Sequence, residues 1–355
     1  MKRMLYITAF PPNHRSGGQT FSTNAIIDLS SKYVIDLIYF EYPKQEIINL
    51  PVNSVKIFKP TFKNCICLPQ YFPLFTKRFS ESILEYIKAI SNQYNVIYFD
   101  FSQVAIYSKY IKHPMKIIRC HDIIAQKYMR SDKFLLPWVR WTEKQILFHA
   151  NKIFVPSRKD RDLLKNEYNL EAFFTNEYIE KYVLQNPTEN YFGFIMFGRW
   201  QRKENLDGLI WFISKVCPLL EANIVKSINI MGSGMSIEFR RNYLDPIGIE
   251  YLGYIANSYA EIEKRKAMIV PLFKGAGVKV KVIDSFVTGT PVIGTDIAFE
   301  GIPHVQDLVF QANTEKEFAD LISNFYKNKN QSKNKQEKQR EFVTLYDCQH
   351  LSDFI

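Results

Sequence analysis

Between Met268 and Asp296 the chain spells out one βαβ unit, and this stretch restricts the fold more than any other. Met268, Ile269, Val270 and Leu272 form a short apolar run suited to a buried strand, and Gly275 and Gly277 follow at once. Val278, Val282 and Phe286 then recur every fourth residue with Ile283 and Val287 beside them, which puts an apolar stripe on a helix. Gly289 and Pro291 end that helix, and Val292 and Ile293 open the next strand. The order predicts a parallel sheet with the glycine loop at its carboxyl edge, where open α/β sheets bind ligands.

Lys279 and Lys281 fall in the first turns of the helix, where exposed backbone N–H groups and the helix dipole already make the potential positive. Two readings are open. Glycine loop, N–H groups and lysines together describe a phosphate site; alternatively both lysines are solvated surface residues, each costing a few tenths of a kcal/mol. Asp284, three residues after Lys281, shares its side of the helix and suits a sugar hydroxyl.

The run GAGVKVKVIDSFVTGTPVIGT from Gly275, preceded by VPLF and followed by FEGI at Phe299 to Ile302, resembles the donor-binding segment of family 4 glycosyltransferases, in the subset with a Gly-Ala-Gly-Val-Lys loop. The resemblance implies a GT-B architecture, two Rossmann-like α/β domains with parallel sheets facing a cleft, and retaining transfer. In that family an acidic residue at the position of Asp284 binds the ribose of a nucleotide-sugar, with Gly275, Gly277, Val278 and Lys279 lining the loop. A second acid eight positions earlier contacts the sugar. Here that position is Ala276, and the ribose residue is Asp where Glu is usual.

The 355 residues suit two domains of about 150 to 180 residues each. Apolar content of 46% and charged content of 23% fit a soluble globular chain with enough material for two cores. A net charge of +10 implies anionic company without choosing among nucleic acid, membrane phosphate and nucleotide. Lys327, Lys329, Lys333, Lys335, Lys338 and Arg340 supply much of it, and read as a solvated loop or frayed helix start, or else a membrane-surface patch. Five cysteines, Cys65, Cys67, Cys120, Cys217 and Cys348, support neither a disulfide framework nor a zinc site and fit a reducing cytoplasm. No signal peptide and no stretch of about 20 apolar residues is seen, so membrane contact would be peripheral.

The amino half starts with a strand at Met4 to Ala9, the loop FPPNHRSGG, a helix from Gln19 to about Leu29 and a strand at Tyr33 to Phe40. Strands at Val55 to Phe58, Val96 to Phe99, Ile117 to Cys120 and Ile153 to Val155 follow, with helices at Glu81 to Ile90 and Pro137 to His149 between them. Gly17 and Gly18 precede a helix start, which is either an ordinary turn or an anion contact. His121 and Asp122 follow a strand. From the residues alone His121 is a structural hydrogen-bonder as readily as a functional group. The resemblance implies that the Gly17–Gly18 loop approaches donor phosphates or acceptor, and that His121 contacts substrate with Asp122 orienting it. Aromatic stretches at Tyr71 to Phe79 and Phe134 to Leu147, the second with Trp138, Trp141, Arg140 and Lys144, read as packed core or as an acceptor or lipid surface.

Asn186 to Asn190 marks a linker. Strand Phe192 to Phe197 leads into GRWQRKEN and a helix through Leu206, Leu209, Ile210 and Phe212. Gly198, Arg199 and Lys203 thus lie between strand and helix, a place for anion recognition. In the family an Arg after this strand and a Lys shortly beyond hold the diphosphate; Arg199 matches, and Lys203 takes the second role with Arg202 as its rival. Strands at Ile228 to Met231 and Ile249 to Leu252 carry GSG and GYI turns, and Tyr254 and Ile255 are carried over to the base pocket. The expected domains are 1–185, 186–341, and a helix over 342–355 that returns to the first.

The resemblance implies a metal-independent glycosyltransferase. His121, Arg199 and Lys281 act at the reacting centre, and a nucleotide-diphosphate sugar and a saccharide or lipid-linked acceptor are the partners. The setting is surface-polysaccharide assembly, in the cytoplasm or on its membrane face. No Asp-x-Asp motif is present. Two rivals stand beside it. One is a GT-B sugar-nucleotide epimerase or hydrolase, and the other a non-catalytic sugar-nucleotide or polysaccharide-binding subunit, suggested by Ala276. Nucleic-acid binding is unsupported because the basic residues gather at phosphate-type loops and no nucleic-acid motif appears.

Overall fold

The computed structural model describes residues 1–43, 45–60, 68–176, 182–185, 191–328, 333–346 and 351–355. Two units pack separately: Met1–Tyr178 with Cys348–Ile355, and Ile179–Asp347. The expected linker at 186–190 and Cys65, Cys67, Lys329 and Cys348 lie outside the described residues.

The first unit holds a seven-stranded parallel sheet. Its strands are β1 (Lys2–Thr8), β2 (Tyr33–Phe40), β3 (Ser54–Phe58), β4 (Val96–Asp100), β5 (Lys116–Arg119), β6 (Lys152–Val155) and β7 (Phe173–Phe174), in the order β3-β2-β1-β4-β5-β6-β7. Alternation along β1 explains the unbroken apolar run. Leu5 and Ile7 enter one core with Phe99 and Ile118, while Met4 and Tyr6 enter the other with Tyr98 and Ile117.

The second unit holds a six-stranded parallel sheet. β8 (Phe194–Phe197), β9 (Ile228–Met231), β10 (Glu250–Gly253), β11 (Ala267–Val270), β12 (Val292–Gly294) and β13 (Val309–Gln311) run in the order β10-β9-β8-β11-β12-β13. In both sheets the first strand, β1 or β8, lies between its successor and a strand reached by crossing back, so each sheet has a switch point where its order reverses. Crevices at the carboxyl ends of such strands are where α/β sheets take ligands.

Two expectations need correction. The terminal helix covers Lys335–Tyr346, not 342–355, and packs inside the second unit, with Phe342 edge-on to Phe286 at 5.2 Å. The segment 351–355 belongs to the first unit, where Ser352 N and Oγ both donate to Asp28 at 3.0 Å and Lys152 Nζ donates to Phe354 O at 2.7 Å. The lysine-rich stretch is also not wholly solvated. Lys335 is 1% exposed, its Nζ donating to the carbonyls of Glu263 (2.6 Å) and Arg265 (2.7 Å) and to Thr290 Oγ1 (2.7 Å), with the Tyr191 ring 4.0 Å away. Three oxygens and a ring replace water around that ammonium. The stretch Tyr71 to Phe79 is core: Tyr71, Phe72, Phe75 and Phe79 are all buried. The second aromatic stretch is mixed, with Val139, Ile146 and Leu147 buried and Phe134 92% exposed.

Candidate functional site

In the second unit the carboxyl ends of β8, β9 and β10 are locked together by glycines. Gly232 has φ +117°, and a Cβ there would lie 1.9 Å from the Gly198 carbonyl oxygen. Gly198 N donates to Met231 O at 3.2 Å and Gly232 N to Gly253 O at 2.7 Å. The GSG turn therefore seats the Gly198–Arg199 turn by close backbone approach. From that turn the chain enters the helix Lys203–Trp211. Gly208 lets this helix lie on the loop after β11, since a Cβ there would meet the Pro271 carbonyl oxygen at 2.0 Å.

That approach brings Asn205 to Lys281. Lys281 Nζ donates to Asn205 Oδ1 at 2.9 Å, and Asn205 Nδ2 donates to Arg199 O at 2.9 Å. A Cβ on Gly198 would sit 3.4 Å from Lys281 Nζ, so the lysine reaches the β8 turn as well as the helix. Burial, then the charges of Lys279 and Arg202, depress the Lys281 ammonium to about 7, with Glu204 pulling the other way. A lysine held among cations beside a glycine turn is poised to gain from a bound anion.

The loop before the helix Val280–Val287 needs both of its glycines, with φ +121° at Gly275 and +69° at Gly277. Lys279 caps the helix from an extended conformation and folds its ammonium back onto the Ala276 and Gly277 carbonyls, so it closes the loop. Val278 is half-buried within it. On the next helical turn Asp284 accepts a hydrogen bond from Tyr259 at 3.2 Å, and burial lifts its carboxyl to about 7. Lys203 is exposed, and Arg202 is the neighbouring cation whose charge Lys281 feels. Tyr254 is 78% exposed and Ile255 half-buried just beyond β10, the edge strand.

In the first unit, Gly17 and Gly18 open the helix Gly17–Leu29, whose N-cap Ser16 makes no side-chain cap and instead donates to Gln19 Oε1 at 2.8 Å. A Cβ on Gly18 would come within 3.1 Å of the Phe101 ring and 3.7 Å of His121 Nδ1. His121 Nε2 lies 2.8 Å from Asp100 Oδ1 at the end of β4. The partner that orients His121 is thus Asp100 rather than the expected Asp122, because β4 and β5 run side by side with Asp100 opposite Arg119. The imidazole is stacked on Phe101, centroids 3.8 Å apart.

The sequence reading missed Asn205, Gly208, Tyr259 and Asp100. Polar residues on a helix or strand end carry no periodic signal of their own.

Residues 192–328 match the family model described as "Glycosyl transferases group 1". Solved structures cover the chain end to end at low identity. Anabaena HepE in complex with UDP matches with TM-score 0.69 and 12% identity, over 99% of this chain and 98% of that one. S. aureus TarM, as a mutant bound to fondaparinux, alpha-GlcNAc-glycerol and UDP, matches with TM-score 0.74 and 11% identity, over 100% and 98%. WaaG, described as a glycosyltransferase involved in lipopolysaccharide biosynthesis, matches with TM-score 0.68 and 11% identity, over 99% and 98%. The chain has the GT-B fold.

The group 1 glycosyltransferase match falls on the half of this GT-B chain that carries Gly198, Asn205, Lys281 and Asp284. A Klebsiella pneumoniae protein described as an uncharacterized 44.6 kDa protein in the cps region is 33% identical over 134 residues, or 35% of this chain. The chain spans about a third of the length of that curated relative, 34%.

Proposed function

We propose that this GT-B chain is a glycosyltransferase that moves a sugar, with retention, from a nucleotide-diphosphate sugar to a glycan or lipid-linked acceptor in surface-polysaccharide synthesis. The observation that carries the reading is Lys281, a cation depressed to about 7 by burial and by Lys279 and Arg202, bonded to Asn205 beside the Gly198 turn. A diphosphate there would restore its charge and accept its hydrogen bonds. UDP is the first ligand to try, since Anabaena HepE is described in complex with UDP and with UDP-glucose. The cps-region relative supports the polysaccharide setting.

Cleavage of the sugar–phosphate bond leaves negative charge on the diphosphate and positive character on the sugar. Lys281, Arg199, and Arg202 or Lys203 supply fixed positive charge to the leaving group, a preorganised electrostatic role. Asp284 with Tyr259 would hold the ribose, and Tyr254 and Ile255 the base. The Gly17–Gly18 turn offers backbone N–H groups and His121 a ring nitrogen to the sugar or acceptor. Ala276 leaves no carboxylate at the family's sugar-contact position, which also favours a second reading: a subunit that binds the sugar nucleotide without turning it over. Among the described residues no helix is long and apolar enough to cross a membrane. Exposed Phe134, Trp138 and Trp141 favour peripheral attachment.

The test is thermal stabilisation by UDP, GDP, ADP and their common sugar conjugates, followed by nucleotide release in the presence of polysaccharide fragments. A selective shift with acceptor-dependent release is expected. Selective shift without release supports the binding subunit, and no shift with any nucleotide contradicts both readings.

A further inference from the structure

Tyr259 and Glu263 stand four residues apart on the helix Ser258–Glu263, so they share one face of it. Tyr182, the first described residue of the second unit, touches both. Its ring packs on Tyr259, centroids 5.3 Å apart and tilted by 50°, and its hydroxyl donates to Glu263 Oε2 at 2.6 Å. Glu263 is 1% exposed and also accepts from Gln185 N at 2.9 and 3.0 Å. From the helix Lys335–Tyr346, Gln339 Nε2 donates to Tyr182 O at 2.7 Å and to Val287 O at 2.6 Å. Val287 ends the helix that carries Asp284. The irregular stretch 182–185 is thus pinned at its first and last residues, by way of Glu263 and Gln339, to the two helices that bear Tyr259 and Asp284.

The tie continues into the candidate nucleotide site. The Tyr259 hydroxyl donates to Asp284 Oδ1 at 3.2 Å, longer than the ~2.7–2.8 Å usual between two oxygens. A bond stretched that far depends on what holds the phenol in place, and tilted aromatic rings at the Tyr182–Tyr259 spacing attract one another. The other oxygen of the half-buried Asp284, Oδ2, has no hydrogen-bond partner among the described residues. Burial lifts the Asp284 carboxyl and the Tyr259 bond works against that lift, because a donor favours the carboxylate, the form that only accepts hydrogen bonds.

We infer that Tyr182 is a positioning residue: its ring braces Tyr259 so that the Tyr259 hydroxyl stays on Asp284 Oδ1 and Oδ2 is left to accept from the vicinal hydroxyls of a ribose. The ligand class is a ribonucleotide, told from its deoxy analogues through Tyr182. The ribose rests on the donor role proposed above, whereas the bracing of Tyr259 does not. A brace needs the Tyr182 ring, which Gln339 still seats when the hydroxyl is gone; a mere anchor of the chain needs the bond to Glu263.

The experiment measures binding of UDP and of 2′,3′-dideoxy-UDP to the full chain by titration calorimetry, and follows the Asp284 carboxyl across pH by carbon-13 NMR without ligand, its signal being the one lost in Asp284→Asn. The wild type is expected to prefer UDP roughly 10- to 100-fold, the worth of hydrogen bonds to a charged group. Tyr182→Ala is expected to lose most of that preference through weaker UDP binding, with dideoxy-UDP affinity little changed, and Tyr182→Phe is expected to keep it. Without ligand, Tyr182→Ala and Tyr259→Phe are both expected to move the Asp284 midpoint upward, the direction of a lost donor, and Tyr182→Phe is not. Equal weakening of both nucleotides in Tyr182→Ala, the mark of a purely structural anchor, overturns the inference, as does an Asp284 midpoint that stays put or falls in that variant. If Tyr182→Ala does not fold, Tyr182→Leu, which keeps apolar bulk without a ring, is judged by the same criteria. A wild type that binds the two nucleotides equally, or binds neither, while the midpoint still rises in Tyr182→Ala, upholds the brace and counts against the ribose, which keeps the two failures apart.

Discussion

The ammonium of Lys281 donates to the side-chain oxygen of Asn205 at 2.9 Å, joining the glycine-loop helix to the helix Lys203–Trp211 that follows the β8 turn. Asn205 in turn donates to the Arg199 carbonyl, so the three residues implied in diphosphate recognition, or bonded to them, form one short chain. Lys281 costs the empty protein stability because burial and two cations oppose its charge. A ligand that supplies negative charge reverses that sign.

Lys281→Met is expected to weaken UDP binding roughly 10- to 100-fold, the worth of a hydrogen bond to a charged group. The same substitution is expected not to lower the melting temperature of the ligand-free protein, since it removes a cation held in unfavourable surroundings. Isothermal titration and thermal unfolding on one sample check both halves.

Asp284 sits on the other side of the linkage. Its carboxyl is lifted to about 7, mainly by burial, from an ordinary value of 3.8. Between those values the folded protein binds more protons than the unfolded chain, so the residue's contribution to stability falls as pH rises from about 4 to about 7. Asp284→Asn is thus expected to raise the melting temperature at pH 8 relative to pH 5, by about 2–4 °C for each kcal/mol recovered, while weakening nucleotide binding. Melting curves at the two pH values, with and without UDP, test this.

Gly277→Ala is expected to cost about 1–2 kcal/mol, because φ +69° at that position is disfavoured for any residue with a Cβ. Urea unfolding reads the loss. Nucleotide affinity should fall with it, since the Lys279 ammonium is anchored on the Gly277 carbonyl.

Phe134 is 92% exposed beside Lys133, with Trp138 and Trp141 exposed at 37% and 45% on the following helix. Co-flotation with vesicles containing phosphatidylglycerol is expected for the wild type. Phe134→Ser with Trp141→Ser should reduce it several-fold, and purely phosphatidylcholine vesicles should retain little protein. Equal flotation of variant and wild type would remove this face from membrane contact.

The sheet strands were legible where both faces are buried, as in Met4 to Ile7 and Met268 to Val270, because burial demands an unbroken apolar run. β7 and β13, of two and three residues, are too short to show alternation. The glycine loop was legible because its positive φ values leave glycine as the natural choice. Asn205 and Asp100 were not, since each acts through a partner 76 or 21 residues away that only the fold brings near. Lys335 misled most: a lysine among lysines looks solvated, and three acceptors from distant segments make it a core residue.

The most direct test of the account is proton uptake on UDP binding, obtained by titration calorimetry at pH 8 in buffers of different ionisation enthalpy. With Lys281 at about 7, about nine-tenths of it is neutral at pH 8, and a bound diphosphate should recharge it. The expected result is net uptake approaching one proton per UDP, shrinking as the pH falls and absent in Lys281→Met. UDP binding with no proton uptake at pH 8, or equal uptake in Lys281→Met, would contradict the assignment of Lys281 to the diphosphate.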